Sequence, residues 1–282
     1  NQASALACSY ANGGQLSYSH IEPWASKASI ITTIKAKCRL SSFLAIPHLF
    51  DYEFLQWSYK FIQNASEEKN RSNSIKLHHL CLYSKEAFAD ILRLEKNLAF
   101  DYKSEGILHF FRKQKTFEEA IKKAAFHNSI GCKAEVLSKS ECLRKEPTLL
   151  KLYDEKNLAG GVFYEVDASG NSFLFAKGLE QICREKYGCV FEYGAEVRNI
   201  LTHKNKITGI HTSKGVFVAD RYVSSLGACS NKILKGIGID SDIYPLKGYS
   251  LSIPADNEFL APNLALTDTE NKVVYSRIGE TF

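Results

Sequence analysis

The chain has 282 residues, of which 45% are hydrophobic and 24% are charged, and its formal net charge is +5. A chain of this length can bury a sizeable core in one large domain or in two interleaved ones. The sequence holds no run of eighteen apolar residues that would indicate a transmembrane helix, and no basic stripe with interleaved aromatic residues that would indicate nucleic-acid binding.

The first half of the chain is dominated by helical patterning. Residues 1–24 are rich in Gly and Ser and predict loop around a short polar turn. Apolar residues then recur at helical spacing from Ser29 to about Asn97. Two strands are predicted next, at 100–102 and 107–111, on either side of a turn.

Two short helices are predicted after these strands, each from a capping-box pattern. In such a box a Ser or Thr opens the helix and a Glu three residues later reaches back to it. Thr116 with Glu119 makes one box, and Ser138 with Glu141 makes the other. Both helices are predicted to be short and to lie at the surface.

The second half of the chain is richer in strands. A strand at 160–164 and a turn at 167–171 precede a helix from Phe173 to Lys186, whose apolar residues fall on one side. Further strands are predicted in succession at 190–193, 196–201, 206–212, 215–219 and 220–227. The last of these ends in a small-residue turn. Such an order is typical of nucleotide-binding α/β proteins.

A final pair of strands closes the prediction. Residues 243–253 read as a turn followed by an alternating strand, and 272–277 as a second strand that pairs with it. The alternation of helical and strand-rich segments favours a mixed α/β fold of two interleaved domains.

The cysteines and histidines do not predict a metal site. Eight cysteines lie at irregular spacings without a C-x-x-C pair, whereas metal ligands come in close pairs. Scattered buried thiols in a reducing compartment are favoured instead. The adjacent His78 and His79 point to different faces of a helix and are poorly placed to share a metal ion.

Two small-residue segments are the remaining candidates for a binding site, because no G-x-G-x-x-G, Walker, G-x-S-x-G or H-E-x-x-H motif is present. Glycines in 9–15 allow backbone N–H groups to face an anion or a planar ring; the alternative is a plain surface turn. Residues 225–230 lie at a predicted strand–helix junction, where free N–H groups could bind a phosphate; the alternative is close packing.

Four segments together resemble the D-amino acid dehydrogenase small subunit, within the flavoprotein superfamily of D-amino acid oxidases, glycine oxidase and sarcosine oxidase. The resemblance covers essentially the whole chain, and the segments occur in the family's order. They are 9–17 with Glu22-Pro23-Trp24-Ala25, Asp167 to Asn171, Ser225-Leu226-Gly227 with Ser230, and Tyr244 to Leu251. The last segment is close to the dehydrogenase in particular.

The resemblance implies a mixed α/β (α+β) fold with an incomplete Rossmann-like FAD domain interleaved with an antiparallel-sheet substrate domain. The FAD-binding domain is then expected at 1–25 and 155–235. The substrate or cap domain is expected at 26–154 and 236–282.

The family's binding positions can be matched residue by residue. The resemblance implies FAD contacts from Ala11, Asn12, Gly13, Gly14 and Gln15 at the flavin, the backbone of Val197 at the adenine edge, and Ser225, Leu226 and Gly227 along the phosphates and ribose. Tyr249 and Arg277 are expected to face the substrate chamber, with an exposed, structural role as the alternative for Arg277. No catalytic residue is assigned.

The implied reaction is hydride transfer from the Cα of a D-amino acid, such as D-alanine, to FAD. The imino acid product is hydrolysed to a 2-oxo acid and ammonia. Family members pass the electrons to a quinone of the respiratory chain, as cytoplasmic or peripheral proteins at the inner face of the cytoplasmic membrane. Two alternatives remain open: a non-catalytic remnant, and a glycine- or sarcosine-type oxidase, against which Pro245 to Tyr249 argues.

The chain departs from the family at both ends. The family's opening strand–glycine loop–helix and its ribose-binding acidic residue are not in this sequence, nor is the segment with the carboxylate-binding arginine. The sequence also contains no methionine. These departures predict a chain truncated at both ends, which binds FAD poorly alone. It is expected to be active if an adjacent chain supplies the missing parts, or if those parts belong to the same protein and are merely not in this sequence.

Overall fold

A computed structural model describes residues 3–37, 51–152, 157–255 and 261–282. The helices of this part are α1 Lys27–Lys37, α2 Tyr52–Gln63, α3 Glu67–Leu94, α4 Gln114–Ser129, α5 Lys139–Lys145, α6 Leu149–Leu152, α7 Ser172–Glu185 and α8 Ser230–Leu234. The strands are β1 Gln15–Leu16, β2 Ile107–Phe111, β3 Glu135–Ser138, β4 Gly160–Tyr164, β5 Ala168–Ser169, β6 Val197–His203, β7 Lys206–Thr212, β8 Gly215–Phe217, β9 Ala265–Asp268 and β10 Val273–Tyr275. The expected mixed α/β fold is confirmed.

A five-stranded sheet in the order β10-β9-β2-β4-β3 holds the core. Its neighbouring strands are antiparallel, except for the parallel pair β2–β9. Because side chains alternate along a strand, Leu108 and Phe110 of β2 share one face with Leu266 and form the first core cluster, with α5 and α6 packed against it. Each fully buried side chain of this kind stabilises the fold by about 1.5–3 kcal/mol.

The opposite face of the sheet carries the second core cluster. Val162 and Tyr164 of β4 pack there against Ala120 and Ala124 of α4, and Ile21 completes the cluster. The N-terminal segment is therefore built into the core. A two-stranded ladder also fixes it, because β1 pairs with β5 in antiparallel register.

A three-stranded antiparallel sheet, β6-β7-β8, forms a separate layer. Lys204 and Asn205 join β6 to β7 with φ angles of 48° and 60°, the left-handed pair that a tight two-residue hairpin requires. Most side chains of this sheet are exposed or half-buried, so it contributes little to the core.

Strong periodic signals in the sequence are confirmed. The helical stretch from Ser29 to Asn97 contains α1, α2 and α3, although residues 38–50 lie outside the described part. Strands at 107–111, 160–164 and 206–212 form as predicted, 196–201 falls within β6 apart from its first residue, and α7 covers the predicted helix to within a residue. The capping box of Ser138 and Glu141 is also present.

Other predicted elements are wrong. No strand forms at 100–102, because Asp101 has a left-handed φ of 54° and Phe100 packs against Phe88 and Phe175. Residues 190–193 form no strand, since Phe191 lies under the Arg184 guanidinium. The helix predicted from Thr116 begins instead at Gln114, and the Thr116 hydroxyl donates to the Lys113 carbonyl at 2.9 Å rather than capping.

The predicted strands after residue 217 are wrong as well. Residues 220–227 join no sheet in the described part of the chain, and the predicted strand at 215–219 stops at Phe217. Residues 243–253 also form no strand; only Ile253 makes main-chain hydrogen bonds there, and its partner is Phe282. The strand predicted at 272–277 is β10, which pairs with β9 instead. None of the described helices is long and apolar enough to cross a membrane.

Candidate functional site

The 11–15 loop is held in place by the side chain of Asn12. Its Nδ2 donates to the Cys8 carbonyl at 3.1 Å and to Ser172 Oγ at 2.7 Å, while its Oδ1 accepts from the Gly14 N–H at 2.8 Å. Ser172 is the first residue of α7, and its hydroxyl also donates to the Ser9 carbonyl. The loop is therefore anchored on both sides to the start of one helix.

The two glycines of this loop approach other parts of the fold closely. A Cβ on Gly14 would lie 2.3 Å from Ile278 Cδ1, and its φ of +59° is one that glycine alone adopts without strain. A Cβ on Gly13 would lie 2.4 Å from Val274 Cγ2 of β10. Close packing against these two side chains therefore explains both glycines, and neither lies in the plain surface turn that was the alternative for this segment. This packing also places the loop beside the segment that carries Arg277.

Gln15 ties the same loop to strand β9. Its Nε2 donates to the Leu266 carbonyl at 3.1 Å, and its Oε1 accepts from Thr267 Oγ1 at 3.4 Å. Since β9 lies next to β10, the loop runs across the edge of the five-stranded sheet. Ala11 and Asn12 remain exposed there, which leaves their backbone open to a ligand.

A buried carboxylate fixes the chain just after this loop. Asp167 is fully buried, and its two oxygens accept from Ser19, one from the N–H at 2.8 Å and one from the hydroxyl at 2.5 Å. Burial raises the pKa of Asp167 to about 6, and the hydrogen bonds from Ser19 oppose that shift. Asp167 belongs to a segment that the resemblance rests on, but its pairing with Ser19 was not predicted.

A second polar group joins the N-terminal segment to α4 and the sheet. Glu22 pairs with Lys123 at 2.6 Å and lies 3.6 Å from His127 Nε2, and His127 Nδ1 hydrogen-bonds the Tyr164 hydroxyl at 3.0 Å. Burial raises the pKa of Glu22, but His127 and Lys123 outweigh it and hold the pKa at about 2. Sequence spacing gave no signal for this group, because its members come from three distant elements.

The second set of predicted FAD contacts lies beside the three-stranded sheet. Val197 begins β6 and pairs with Thr212. Ser225, Leu226 and Gly227 are exposed, and Gly227, at φ +53°, has no atom within 4 Å of where a Cβ would stand. Helix α8, which follows them, packs against β6. No hydrogen bond, ion pair or ring contact joins either group to 11–15 within the described ranges.

The two predicted substrate residues differ in their surroundings. Tyr249 is 89% exposed, with the Lys247 ammonium 5.2 Å from the centre of its ring. Arg277 is half-buried and sits between Ser276, whose buried hydroxyl lacks a hydrogen-bond partner in the described structure, and Ile278, which meets Gly14. Arg277 thus lies near the anchored loop, and the structure does not bring Tyr249 to it.

A cavity of about 400 Å³ lies elsewhere, between α2 and residues 228–245. Its charged walls neutralise each other: Lys60 pairs with Asp240 and Asp242, and Lys235 with Glu53. No group of three His, Cys, Asp or Glu side chains able to hold a metal ion is found among the described residues.

This chain is similar in sequence to one group of known proteins and in fold to another. The family described as FAD dependent oxidoreductase matches residues 1–280. The chain is 32% identical over 280 residues to a D-amino acid dehydrogenase from Paramagnetospirillum magneticum, covering 99% of this chain and 65% of the relative. It is 32% identical over 271 residues to one from Granulibacter bethesdensis, covering 96% and 64%. The chain thus spans just under two thirds of the length of these relatives.

Solved structures of glycine oxidases have a similar fold. The enzyme from Bacillus cereus superposes with a TM-score of 0.61 at 20% identity, covering 73% of this chain and 55% of that chain. The enzyme from Geobacillus kaustophilus gives 0.59 at 23%, covering 68% and 50%. At these identities the likeness concerns the fold alone.

Proposed function

Because the chain belongs to the FAD dependent oxidoreductase family, we propose that it is part of an enzyme that oxidises D-amino acids to 2-oxo acids and ammonia. The observation that carries this proposal is the similarity, at 31–32% identity and over 96–99% of the chain, to three relatives named D-amino acid dehydrogenase. FAD, when bound, supplies the acceptor for the hydride that leaves the substrate Cα.

The described residues fit one side of a flavin site. The exposed backbone of Ala11 and Asn12 offers a surface for a planar ring, and the hydrogen bonds of Asn12 keep that surface in one conformation. The open backbone at Gly227 offers a second surface. The sequence contains no G-x-G-x-x-G cradle for the pyrophosphate, so these residues support ring contact more than tight binding.

We assign Arg277 to the substrate chamber, in addition to the family's carboxylate-binding arginine, whose segment is not in this sequence. The Arg277 guanidinium supplies the charge and the paired N–H donors that a carboxylate binds best. It lies one residue from Ile278, which meets Gly14 of the flavin loop, and beside the unpartnered Ser276 hydroxyl. A substrate held there would have its Cα close to the loop.

The partners follow from the same proposal. We infer that the electrons pass to a quinone of the respiratory chain, and that the protein works in the cytoplasm as a peripheral protein at the inner face of the membrane. The net charge of +5 supports attraction to an anionic membrane surface.

Flavin retention tests the FAD part of the proposal. The purified chain is incubated with FAD, desalted and examined by absorbance, alone and together with the part of the Paramagnetospirillum relative that this chain does not match. We expect little flavin with the chain alone and clearly more with the added segment. If no flavin is retained by the chain alone, and none is retained when the segment is added, the result would favour the non-catalytic remnant.

Dye reduction tests the substrate. With FAD and the segment present, we expect D-alanine to reduce an artificial redox dye and L-alanine to fail. Preference for glycine or sarcosine would favour the sister oxidases, and preference for L-alanine would reject the proposal. Replacing Arg277 with Ala should lower kcat/KM for D-alanine by about ten- to a hundredfold, the equivalent of a charge-assisted hydrogen bond. The exposed Arg221 provides the matched control, and its replacement should leave kcat/KM unchanged.

A further inference from the structure

Two cysteines meet at the C-terminal end of α7. The chain turns back after the helix through Gly188, at φ +66°, and the Cys189 N–H donates to the Cys183 carbonyl at 2.9 Å. A direct main-chain hydrogen bond of this kind brings two Cα atoms to about 5–6 Å, within the range of about 4.4–6.8 Å that disulfides span. The backbone is therefore already arranged for a bond between these side chains.

The Cys189 side chain also lies close enough to Cys183 to influence its titration. Burial raises the pKa of Cys183, and the charge and the hydrogen bond of the Cys189 thiol raise it further. Cys189 is exposed, whereas Cys183 is half-buried behind it, and both are reduced in the structure. An oxidant in solution therefore meets Cys189 first, with a second thiol directly beside it.

No other described cysteine combines these features. The charge of the Cys81 thiol raises the pKa of Cys132, but Cys132 is buried and no hydrogen bond joins the two thiols. Cys8 and Cys229 are exposed, without a thiol neighbour among the described residues. Since thiol oxidation follows exposure and the presence of a resolving thiol, the reactivity of the described cysteines should concentrate at the end of α7.

We propose that Cys183 and Cys189 form a redox-active dithiol that closes to an intramolecular disulfide when the protein meets a peroxide. The Cys189 thiolate attacks one peroxide oxygen, breaks the O–O bond and becomes a sulfenic acid. The Cys183 sulfur then attacks the Cys189 sulfur, forming the S–S bond and releasing water. The two thiols lose two electrons and two protons, and one hydrogen peroxide becomes two waters. A dithiol reductant reverses the reaction.

The disulfide would fasten the connection between α7 and β6. The end of α7 is already held to the end of α3, because Lys186 and Tyr187 both bond Glu95, at 2.7 and 3.0 Å. The segment beyond Cys189 leads to β6, which begins at Val197. Oxidation would therefore stiffen the link between the helix that anchors the 11–15 loop and the sheet that carries Val197.

Peptide mapping tests this proposal directly. The native chain is treated with equimolar hydrogen peroxide, its remaining thiols are alkylated, and it is digested with trypsin, which cleaves after Arg184 and Lys186. We expect peptide 178–184 to be linked to peptide 187–198, with two of the eight thiols lost and both restored by dithiothreitol. The same treatment in denaturing urea should give mixed pairings.

Variants and alternative products decide the outcome. Cys189→Ser and Cys183→Ser should each abolish the linked peptide, while Cys229→Ser, at another exposed cysteine, should keep it. Persistence of both thiols, separate oxidation of Cys189 to sulfinic acid, or linkage of either residue to a different cysteine would overturn the proposal. The readout needs no flavin or substrate, so it is independent of the proposed D-amino acid oxidation.

Discussion

The two glycine-containing segments that were expected to border the flavin are packed in opposite ways. Gly14 and Gly227 both adopt a left-handed backbone, at φ +59° and +53°. A Cβ on Gly14 would collide with Ile278, whereas one on Gly227 would meet nothing within 4 Å. The first segment is fixed to the five-stranded sheet, and the second lies open beside the three-stranded one.

This difference extends to the regions around the two segments. Around the five-stranded sheet, Leu108, Phe110 and Leu266 are fully buried. Beyond β8, Val218 and Val223 are 76% and 89% exposed. Buried apolar surface is the main source of folding free energy, so the first region should carry most of the stability of the chain. The second region keeps an exposed apolar surface.

The largest effect should come from the core of the five-stranded sheet. Phe110 is fully buried, so Phe110→Ala leaves a cavity and should lower the free energy of unfolding by about 3–5 kcal/mol. Val223→Ala removes an exposed side chain and should change it by less than about 0.5 kcal/mol. Urea unfolding followed by circular dichroism measures both. If both variants lower the free energy of unfolding by similar amounts, Val223 must also be part of the buried core.

Substituting the two glycines sharpens the comparison. A left-handed alanine costs about 1–2 kcal/mol at either position, and Gly227→Ala should cost no more than that. Gly14→Ala adds the contact with Ile278 and the Gly170 carbonyl and should cost about 2–4 kcal/mol. The same unfolding assay separates them. Equal costs would show that the 11–15 loop can move away from β10.

The pH dependence of stability should reveal the buried Asp167. Its pKa is 3.8 in the unfolded chain and about 6 in the folded one, so the folded state keeps a proton that the unfolded state has lost. The contribution of Asp167 to the free energy of unfolding is therefore present at low pH and is lost as pH rises through about 6. Between about pH 7 and pH 5 it should increase stability by about 1 kcal/mol.

Asp167→Asn provides the control for this pH effect. Five titratable groups interact electrostatically with Asp167, and all of them remain in the variant: Tyr18, Tyr164, Lys85, Cys81 and Cys132. Histidines with lowered pKa values, such as His20 and His78, act in the opposite direction and are also unchanged. The difference between wild type and variant from urea unfolding at several pH values isolates Asp167, and a difference independent of pH would contradict the assignment.

The apolar pattern of the sequence correctly predicted those helices and strands that find a neighbouring element to pack against. Strand β2 is a short, mostly apolar run that pairs on both sides, and its prediction was confirmed. Residues 220–227 have comparable strand-forming composition but find no neighbouring strand within the described residues. Strand formation depends on a partner as well as on composition. A single-sequence pattern cannot supply that information.

The candidate site was predictable only where one short segment carried it. The 11–15 loop was singled out from the sequence, and its contact with a flavin stays a prediction. The structure explains its glycines by contacts with Val274 and Ile278, more than 250 positions away in the sequence. The pairing of Ser19 with Asp167 likewise spans 148 positions. Ser19 and Asp167 are ordinary residue types at their positions, so only the folded structure reveals that their side chains meet.

The smallest effect compares one helix cap from each region. At the start of α5, Ser138 and Glu141 satisfy each other's backbone N–H groups in a capping box, and Ser138→Ala should cost about 1 kcal/mol. At the start of α8, the Cys229 side chain makes no capping hydrogen bond, so Cys229→Ala should cost almost nothing. Urea unfolding with hydrogen exchange of the first turn of each helix measures both. A clear loss of protection in α8 alone would mean that Cys229 makes a stabilising contact other than a capping hydrogen bond. The region around the three-stranded sheet would then differ less from the region around the five-stranded sheet.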